Sequence, residues 1–483
     1  MLNTSEKFQK ALELHYAGSI DEAELLYEEL LGEMPQDDLL LSYLSLIAID
    51  KKDFDKAINY TNQAISINPD PKYYEDLANL YYDKKDFNKA IEAYLQVLTL
   101  DPNNHNILFN LGLSFLSEDR VDEAIDFFKK ALSVNPDDAE IYYNLALAYV
   151  EKCEFKEAIN SLNHSIKIKP DYPDANFLLG CIFLQTSNFE EGWKLYEWRF
   201  FKKDAIELLN FSKPRWDGSD IKDKTIYVYH EQGYGDSIMF ARFLPLLSTI
   251  SKKVLFKPQA GLEKLFKESN LPVDIIDNSV PSFNLEFDTY IHLLSLPGIL
   301  KVNQYNIPFK NNYLKSNKEK TNQYKQEYFN NEQFKIGIAW QSNPNIEKKR
   351  PIPLKYFYKL AGLKNIKLYS LQKGYGIEQL DNIPEEVEII NIGKTFNNFS
   401  DTAAAIQNLD LVITIDTSIA HLSGSLGKST LVLLPYSPDW RWLLDSENSI
   451  WYDSLKLYRQ KTPGDWDETM KRILLDIKDI LDS

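Results

Sequence analysis

The sequence predicts a helical solenoid followed by two doubly wound α/β lobes. Five prolines, Pro35, Pro69, Pro102, Pro136 and Pro170, recur at intervals of 34, 33, 34 and 34 residues. Five alanines, Ala23, Ala57, Ala90, Ala124 and Ala158, keep step with them. From Lys224 onward, short β-branched runs alternate with helical stretches in two blocks, separated by a charged, Asn-rich segment at 311–333. A fixed period of this length marks stacked helical hairpins. Strand–helix alternation marks parallel sheets covered by helices. The expected domains are a solenoid over 1–212, a first lobe over 213–330 and a second lobe over 331–483.

Composition fits this division. The 483 residues are 44% apolar and 26% charged, enough to build a core in each part. The net charge of −17 is unevenly spread: residues 1–212 carry 20 Lys and Arg against 38 Asp and Glu, whereas 213–483 carry 34 against 33. An acidic solenoid argues against a phosphate-backbone partner, so no nucleic acid is expected. The plainest role of the acidity is a solvated surface. Cys153 and Cys181 lie within helical patterns, with no CxxC or Cys/His cluster to suggest a disulfide framework or a zinc site. The N-terminus lacks a basic stretch leading into an apolar one, and no run of about 18 apolar residues occurs. A cytoplasmic protein without a transmembrane segment is the expectation.

The repeating unit is clearest at 105–138. There Leu108, Leu111, Gly112 and Phe115 share one helical face, and Ala124, Phe128 and Ala131 share the face of a second helix. Gly112 and Ala124 are small because two helices must approach closely. Pro136 stops the second helix, since proline cannot continue the hydrogen-bond ladder. The pattern recurs as Ala78, Tyr81, Ala90 and Tyr94 before Pro102, and as Ala146, Tyr149 and Ala158 before Pro170. It resembles the tetratricopeptide repeat, in five units over residues 4 to about 172, the first degenerate as a capping unit is. A sixth unit begins at Asp174 with Ala175, Leu178, Leu179 and Gly180. It then departs through Gly192, Trp193, Tyr196, Glu197 and Trp198, with no proline on schedule. That helix is expected to dock on a neighbouring domain, with 199–220 as the connection. The groove of such an array predicts a protein partner. Asn79, Asn110 and Asn144 recur on successive first helices and suit either a bound peptide backbone or bonding between helices.

In the first lobe, TIYVYHE (225–231) reads as a buried strand, GYGD as a turn and 237–250 as a helix. KVLFKPQ, a helix from Gly261, PVDIID and DTYIHLLSLP follow. In the second lobe KIGIAWQ (335–341), KLYSLQK (367–373), VEIINI (387–392), LVITID (411–416) and STLVLLP (429–435) read as strands. Helices are expected from Pro353, over 399–409 and over 417–427. Ligands of such sheets lie at the carboxyl ends of the strands.

Three strand ends carry the candidate chemistry. In Gly233-Tyr234-Gly235-Asp236 the glycines permit a sharp turn and close approach of another group. Asp236 falls at a helix N-terminus, where a carboxylate is also a good cap. Asp416 ends a very apolar strand, Thr417 and Ser418 open a helix of small residues, and His421 lies one turn further on. Free amides and hydroxyls at such a helix start suit a phosphate. Trp340 and Gln341 lead into a polar loop through Ser342, Asn343 and Pro344 to Lys348, Lys349 and Arg350. Three adjacent cations are most simply solvated, yet they stand where a diphosphate would need them.

These pieces together resemble glycosyltransferase family 9, the heptosyltransferases. GYGDSIMFARFLPLL is similar to that family's GDxI/L…P opening, and DTSIAHLSGSLGKSTLVLLP to its D-T/S-x-x-x-H-x-A-x-A-L-x-x-P segment. PYSPDWRWLL and WYDSLKLYRQKTPGDW resemble a bacterial group that joins such a transferase to tetratricopeptide repeats. The similarity spans about 225–470. It implies the GT-B architecture of two Rossmann-like lobes, the nucleotide sugar being held mainly by the second, and an inverting transfer. It further implies Asp236 as general base, with Gly235 in the same turn. Asp416, Thr417 and Ser418 would stand near the donor sugar and phosphates, with Gln341 also on the donor side, and His421, in the same helix as Thr417, would be a catalytic residue beside Asp236. Arg350, or Lys349 beside it, would be the cation for the departing diphosphate. No metal and no cofactor beyond the nucleotide-sugar donor is then required. Ser423, Gly424 and Ser425 depart from the alanines usual in the second motif, which bears on helix packing more than on chemistry.

The acceptor implied is a protein or a surface glycan held partly by the repeats. The alternative is a non-catalytic repeat scaffold with a degenerate transferase module. A dinucleotide oxidoreductase fits less well, because no G-x-G-x-x-G follows a strand with a ribose-binding acid at the expected distance.

Overall fold

The structure, a computed structural model, describes residues 3–203, 211–343 and 349–482. The chain divides into two compact units, Met1–Ala175 and Asn176–Ser483. The dividing point falls inside the sixth repeat-like segment, earlier than the expected solenoid end at 212. Among the described residues no helix is long and apolar enough to cross a membrane.

The first unit is a row of helical hairpins. They are α1 (Thr4–Tyr16) with α2 (Ile20–Glu33), α3 (Asp38–Asp50) with α4 (Phe54–Ile67), and α5 (Pro71–Asp83) with α6 (Phe87–Leu100). Next come α7 (His105–Ser117) with α8 (Val121–Val134), and α9 (Ala139–Glu151) with α10 (Phe155–Ile168). Each repeat proline stands two residues beyond the end of a second helix. Asp37, Asp70, Asn104 and Asp138 then cap the next first helix by accepting its free backbone amides. All five repeat alanines are completely buried. A β-carbon at Gly112 would lie 2.5 Å from a Phe128 ring carbon, so the close approach inferred from the sequence is real.

The turn inside each hairpin repeats as strictly as the helices. Gly18, Lys52, Lys85, Asp119 and Cys153 all adopt φ between 57° and 79°. A left-handed residue is a common way to end a helix, but it is strained for anything except glycine or asparagine. Two of the recurring asparagines are used locally: Asn79 accepts the Tyr94 hydroxyl across its hairpin at 2.5 Å, and Asn144 donates to the Glu140 carbonyl of its own helix at 2.9 Å, whereas Asn110 bonds Tyr94 of the preceding hairpin.

The division falls within α11 (Pro173–Gln185), which with α12 (Phe189–Tyr196) continues the hairpin pattern. Gly192 lets α12 lie against Leu184, and Gly180 lets α11 lie against Leu195. Trp193 then enters the core of the α/β part. Its ring meets Trp440 edge-on at 5.5 Å, and its indole N–H donates to the Val302 carbonyl at 2.8 Å. α12 is therefore the docking helix the sequence suggests, although Trp198 meets the nearby Phe201 instead.

Two parallel sheets follow. The first has the order β3-β2-β1-β4, from β1 (Ile221–Tyr229), β2 (Ser251–Lys257), β3 (Asp274–Ile275) and β4 (Thr289–His292). α13 (Tyr234–Phe240), α14 (Leu244–Ile250), α15 (Glu263–Glu268) and α16 (Leu296–Ile299) accompany it. The second sheet has the order β10-β9-β8-β5-β6-β7. Its strands are β5 (Phe334–Ala339), β6 (Ile366–Ser370), β7 (Ile389–Asn391), β8 (Leu411–Ile415), β9 (Thr430–Leu434) and β10 (Leu455–Arg459). With it go α17 (Lys318–Tyr328), α18 (Tyr358–Ala361), α19 (Phe399–Gln407), α20 (Ser418–Ser425) and α21 (Trp466–Asp482). β8 and β9 are buried at every residue, as parallel strands covered on both faces must be. An apolar core including Trp193, Phe240, Val412 and Trp451 joins residues of both sheets, and a separate cluster includes Ile338, Phe357, Ile413 and Ile473.

Several elements differ from expectation, and the helix expected over 237–250 is broken by a 3-10 turn at Ala241–Phe243 between α13 and α14. PVDIID contributes only the two residues of β3, an edge strand paired with β2 alone. The helix expected from Pro353 is a 3-10 turn over Leu354–Phe357 followed by the single turn of α18. β10 and α21 complete the second sheet and were not anticipated.

Candidate functional site

The order of the first sheet reverses at β1 and that of the second between β5 and β8, the positions where open α/β sheets leave a crevice at their carboxyl edge. After β1 the chain turns through Gln232 (φ 59°) into α13. Gly233 occupies the cap position, and Asp236 is the third helical residue, accepting the Gly233 N–H through Oδ2 at 3.1 Å. Asp236 thus holds the helix start from inside the first turn instead of standing at the cap. α13 packs against α20 of the second sheet. Gly235 is the point of contact: a β-carbon there would lie 2.8 Å from His421 Cδ2. The two glycines therefore do different work, one as a cap and one as a gap between helices.

On the facing side, Thr417 caps α20 by accepting the Ile419 N–H at 3.3 Å, and Ser418 is the first helical residue. Asp416, only 4% exposed, stands 3.2 Å from Arg350 Nη1. Arg350 Nη2 is 3.4 Å from Asp439 Oδ2, and Asp439 Oδ1 accepts from Arg441 Nη1 at 2.7 Å. Arg441 Nη2 then donates to Asp236 Oδ1. Asp416, Arg350, Asp439, Arg441 and Asp236 form a chain of alternating charge that runs from the second sheet to the first. The sequence reading named three of these five. Asp439 and Arg441 were passed over, although both lie in the PYSPDWRWLL segment.

The chain sets the protonation of its members. Burial pushes the Asp416 carboxyl above the usual range; Arg350 opposes the rise and Asp439 adds to it. Burial acts against charge on Asp439 as well, but Arg441 and Arg350 outweigh it and hold this carboxyl below the usual range. Burial also opposes charge on Arg441, and Asp236 and Asp439 more than restore it. His421 is pushed well below the ordinary histidine value, by burial first and then by Arg441 and Arg242. Its neutral ring stacks on Trp442 at 5.4 Å, with Nδ1 3.0 Å from the Tyr452 hydroxyl.

Beside this chain lies a cavity of about 350 Å³, walled by the start of α13, the carboxyl ends of β5 and β6, and the starts of α19 and α20. Of the sequence-derived residues, Gln341, Thr417 and Ser418 line it. Gly235, Asp236, Arg350, Asp416 and His421 lie outside its lining, in the interface between α13 and α20 or in the charge chain. Lys349 is exposed in the loop before Arg350. Pro344 and Lys348 of that loop, and 204–210 of the connection, lie outside the described residues. Tyr234 and Phe399, with ring centroids 4.9 Å apart, form an aromatic wall of the cavity.

Gln372 and Lys373 also line the cavity, and sequence reasoning gave neither a role. Gln372 is a structural brace. Its Oε1 accepts the Trp340 and Gln341 amides at 3.0 and 3.1 Å, and its Nε2 donates to the Gln341 and Tyr375 carbonyls at 3.0 and 2.8 Å. Lys373 donates to the Phe396 carbonyl. Among the described residues, no group of three or more His, Cys, Asp or Glu is placed to hold a metal ion.

With the geometry in place, comparisons with known proteins locate the repeats. Residues 44–71 and 115–180 match families described as tetratricopeptide repeat, and residues 78–119 match one described as TPR repeat. The first unit carries tetratricopeptide repeats. Such repeats suggest a protein partner.

Protein FlbA of Caulobacter vibrioides is 24% identical over 320 residues, which cover 60% of this chain and 52% of that protein. The chain thus spans about half the length of the curated relative it matches. Among solved structures, that of MamA is 21% identical with a TM-score of 0.33, covering 35% of this chain and 92% of that one. The structure of YrrB, described as a TPR protein with an unusual peptide-binding site, is 19% identical with a TM-score of 0.33, covering 35% and 88%. MamA from Desulfovibrio magneticus RS-1 is 16% identical with a TM-score of 0.34, covering 36% and 98%.

Proposed function

We propose that the second unit is an inverting glycosyltransferase of GT-B arrangement, moving a sugar from a nucleotide-activated donor to a protein acceptor that the repeats engage. A surface glycan is the other acceptor class this chemistry admits. The observation that carries the reading is the meeting of α13 and α20: the turn bearing Asp236 is pressed on the helix opened by Thr417 and Ser418, beside a cavity of about 350 Å³. Two lobes whose carboxyl edges face one another over such a cavity can hold a donor on one side and an acceptor on the other.

In this reaction the acceptor oxygen attacks the anomeric carbon, the bond from that carbon to the phosphate oxygen breaks, and the nucleotide leaves with the bonding pair. Asp236 takes the acceptor proton. Each of its carboxylate oxygens accepts one hydrogen bond in the present geometry, from the Gly233 N–H and from Arg441, and retains a second lone pair. Thr417, Ser418 and the first amides of α20 face the donor phosphates. The aromatic wall of Tyr234 and Phe399 suits the base of the nucleotide. Positive charge and helix amides serve the leaving group, so the reading invokes no metal.

The test is donor turnover by the full chain with a panel of nucleotide sugars, wild type against Asp236→Asn. Loss of transfer and of donor hydrolysis in the variant is expected. Turnover that survives Asp236→Asn unchanged removes the assigned role. One observation favours a second reading, a non-catalytic scaffold: Asp416, Arg350, Asp439, Arg441 and Asp236 satisfy one another. A scaffold would gain no thermal stability from any nucleoside diphosphate, whereas a donor site gains it by mass action.

A further inference from the structure

We propose that Lys373 is the residue that binds the anionic phosphate of the ligand in this cavity, a role for which the sequence nominates Arg350 or Lys349. The inference rests on the donor-site reading above. It starts from the charge of the cavity wall. Lys373 is the only formally charged side chain in the described lining, and no carboxylate accompanies it. The remaining polar wall is made of amides and hydroxyls, among them Gln341, Asn397, Thr402, Thr417 and Ser418. A cavity whose single formal charge is positive, and which also receives the start of α20, is built for an anion.

The bonding of Lys373 supports the assignment. Its ammonium donates to the Phe396 carbonyl, a neutral acceptor that fixes the head group without cancelling its charge. No carboxylate pairs with it among the described residues. An ammonium has three donors, so protons remain for a phosphate. Arg350 is in the opposite position. Asp416 and Asp439 flank it at 3.2 and 3.4 Å, within a five-residue chain that carries three acids and two bases. Recruiting Arg350 to a phosphate means giving up carboxylates that already hold it, whereas Lys373 exchanges only water. β6 ends at Ser370, which puts Lys373 in the loop at the carboxyl edge.

The experiment measures binding of UDP, GDP, ADP and CDP, and of the four parent nucleosides, to the full chain by calorimetry. Wild type, Lys373→Met, Lys373→Arg and Arg350→Met are compared. For the diphosphate that wild type prefers, Lys373→Met is expected to weaken binding by about tenfold or more, the usual worth of a charge-assisted hydrogen bond. Affinity for the matching nucleoside should stay within about twofold of wild type, and Lys373→Arg should keep most of the diphosphate affinity, because the charge is the determinant. If Lys373→Met binds the diphosphate as tightly as wild type, or loses nucleoside and diphosphate in equal measure, the assignment is overturned. The second result would mark Lys373 as a mere tie to Phe396. Failure of wild type to bind any of the four diphosphates overturns the donor-site reading itself, and Lys373 with it.

Discussion

Arg441 donates to Asp236 across 205 residues of sequence, joining the loop after β9 to the first turn of α13. The same guanidinium holds Asp439 at 2.7 Å, so one side chain neutralises two carboxylates from opposite sheets. Replacing it by methionine leaves both acids in a poorly solvated place. Arg441→Met should destabilise the second unit by about 3–5 kcal/mol, as breaking a buried pair does. Urea unfolding followed by tryptophan fluorescence checks this. Adding Asp236→Asn to the variant should cost less than the two single changes summed, since the partner charge is then already absent.

Gly235 and Gly233 look alike in the sequence and should respond differently to the same change. A methyl group at Gly235 meets the His421 ring at 2.8 Å, while one at Gly233 meets only the Asp236 carboxylate at 3.3 Å. Gly235→Ala is expected to lose about 1–3 kcal/mol through forced separation of α13 and α20. Gly233→Ala should stay within about 1 kcal/mol of wild type, since its φ of −83° is open to alanine. Thermal unfolding of the two variants side by side decides the matter. Equal losses would place the close contact elsewhere.

His292, at the end of β4, should make the protein sensitive to acid. It is fully buried, neither ring nitrogen has a hydrogen-bond partner among the described residues, and its ring packs on Phe200 at 4.8 Å. Burial, then the nearby Arg215 and Arg199, push its pKa down to about 4, with Glu197 opposing. The unfolded chain binds a proton near pH 6.5, whereas the folded one resists until about pH 4. Stability is therefore full above the unfolded value and falls as pH drops through this window, by on the order of 3 kcal/mol. His292→Phe keeps the packing and removes the proton. Its unfolding free energy should vary less between pH 7 and 4 than that of wild type.

The hairpin turns offer a gain in stability. Lys85 sits at φ 61° between α5 and α6, in a conformation that costs a side chain about 1 kcal/mol. Lys85→Gly should raise the urea midpoint of the repeat unit by an amount worth about 0.5–1 kcal/mol. A fall would mean that the lysine stem contributes packing that outweighs the strain.

What the sequence reveals depends on the range over which each feature is encoded. Pro136 and Ala124 act within their own hairpin, so their spacing announces the repeat, and the structure places every repeat proline just past a helix end. Thr417 and Gly235 were legible because strand ends and glycine turns are local signals. Lys52 and Lys85 were not legible as left-handed residues, because a lysine gives no hint of positive φ. Asp439 and Arg441 sit in a short 3-10 turn without periodicity, and the partner that gives Arg441 its meaning lies in another sheet. Lys373 continues an apolar strand-like run past the end of β6 at Ser370, and its chemistry follows only from the absence of acids in the described lining of the cavity.

The left-handed residue that closes the first helix of every hairpin also fixes the unit in which the array can change length. From Lys52 to Lys85, Asp119 and Cys153 the steps are 33, 34 and 34 residues. Excising one such step rejoins two equivalent corners and leaves each remaining alanine on its packed face. Deleting a single residue rotates everything downstream by about 100° about its helix axis and exposes those same alanines. The row of hairpins is in this sense counted in whole modules, and duplication or loss of a module is the inexpensive way for this chain to alter how far it reaches.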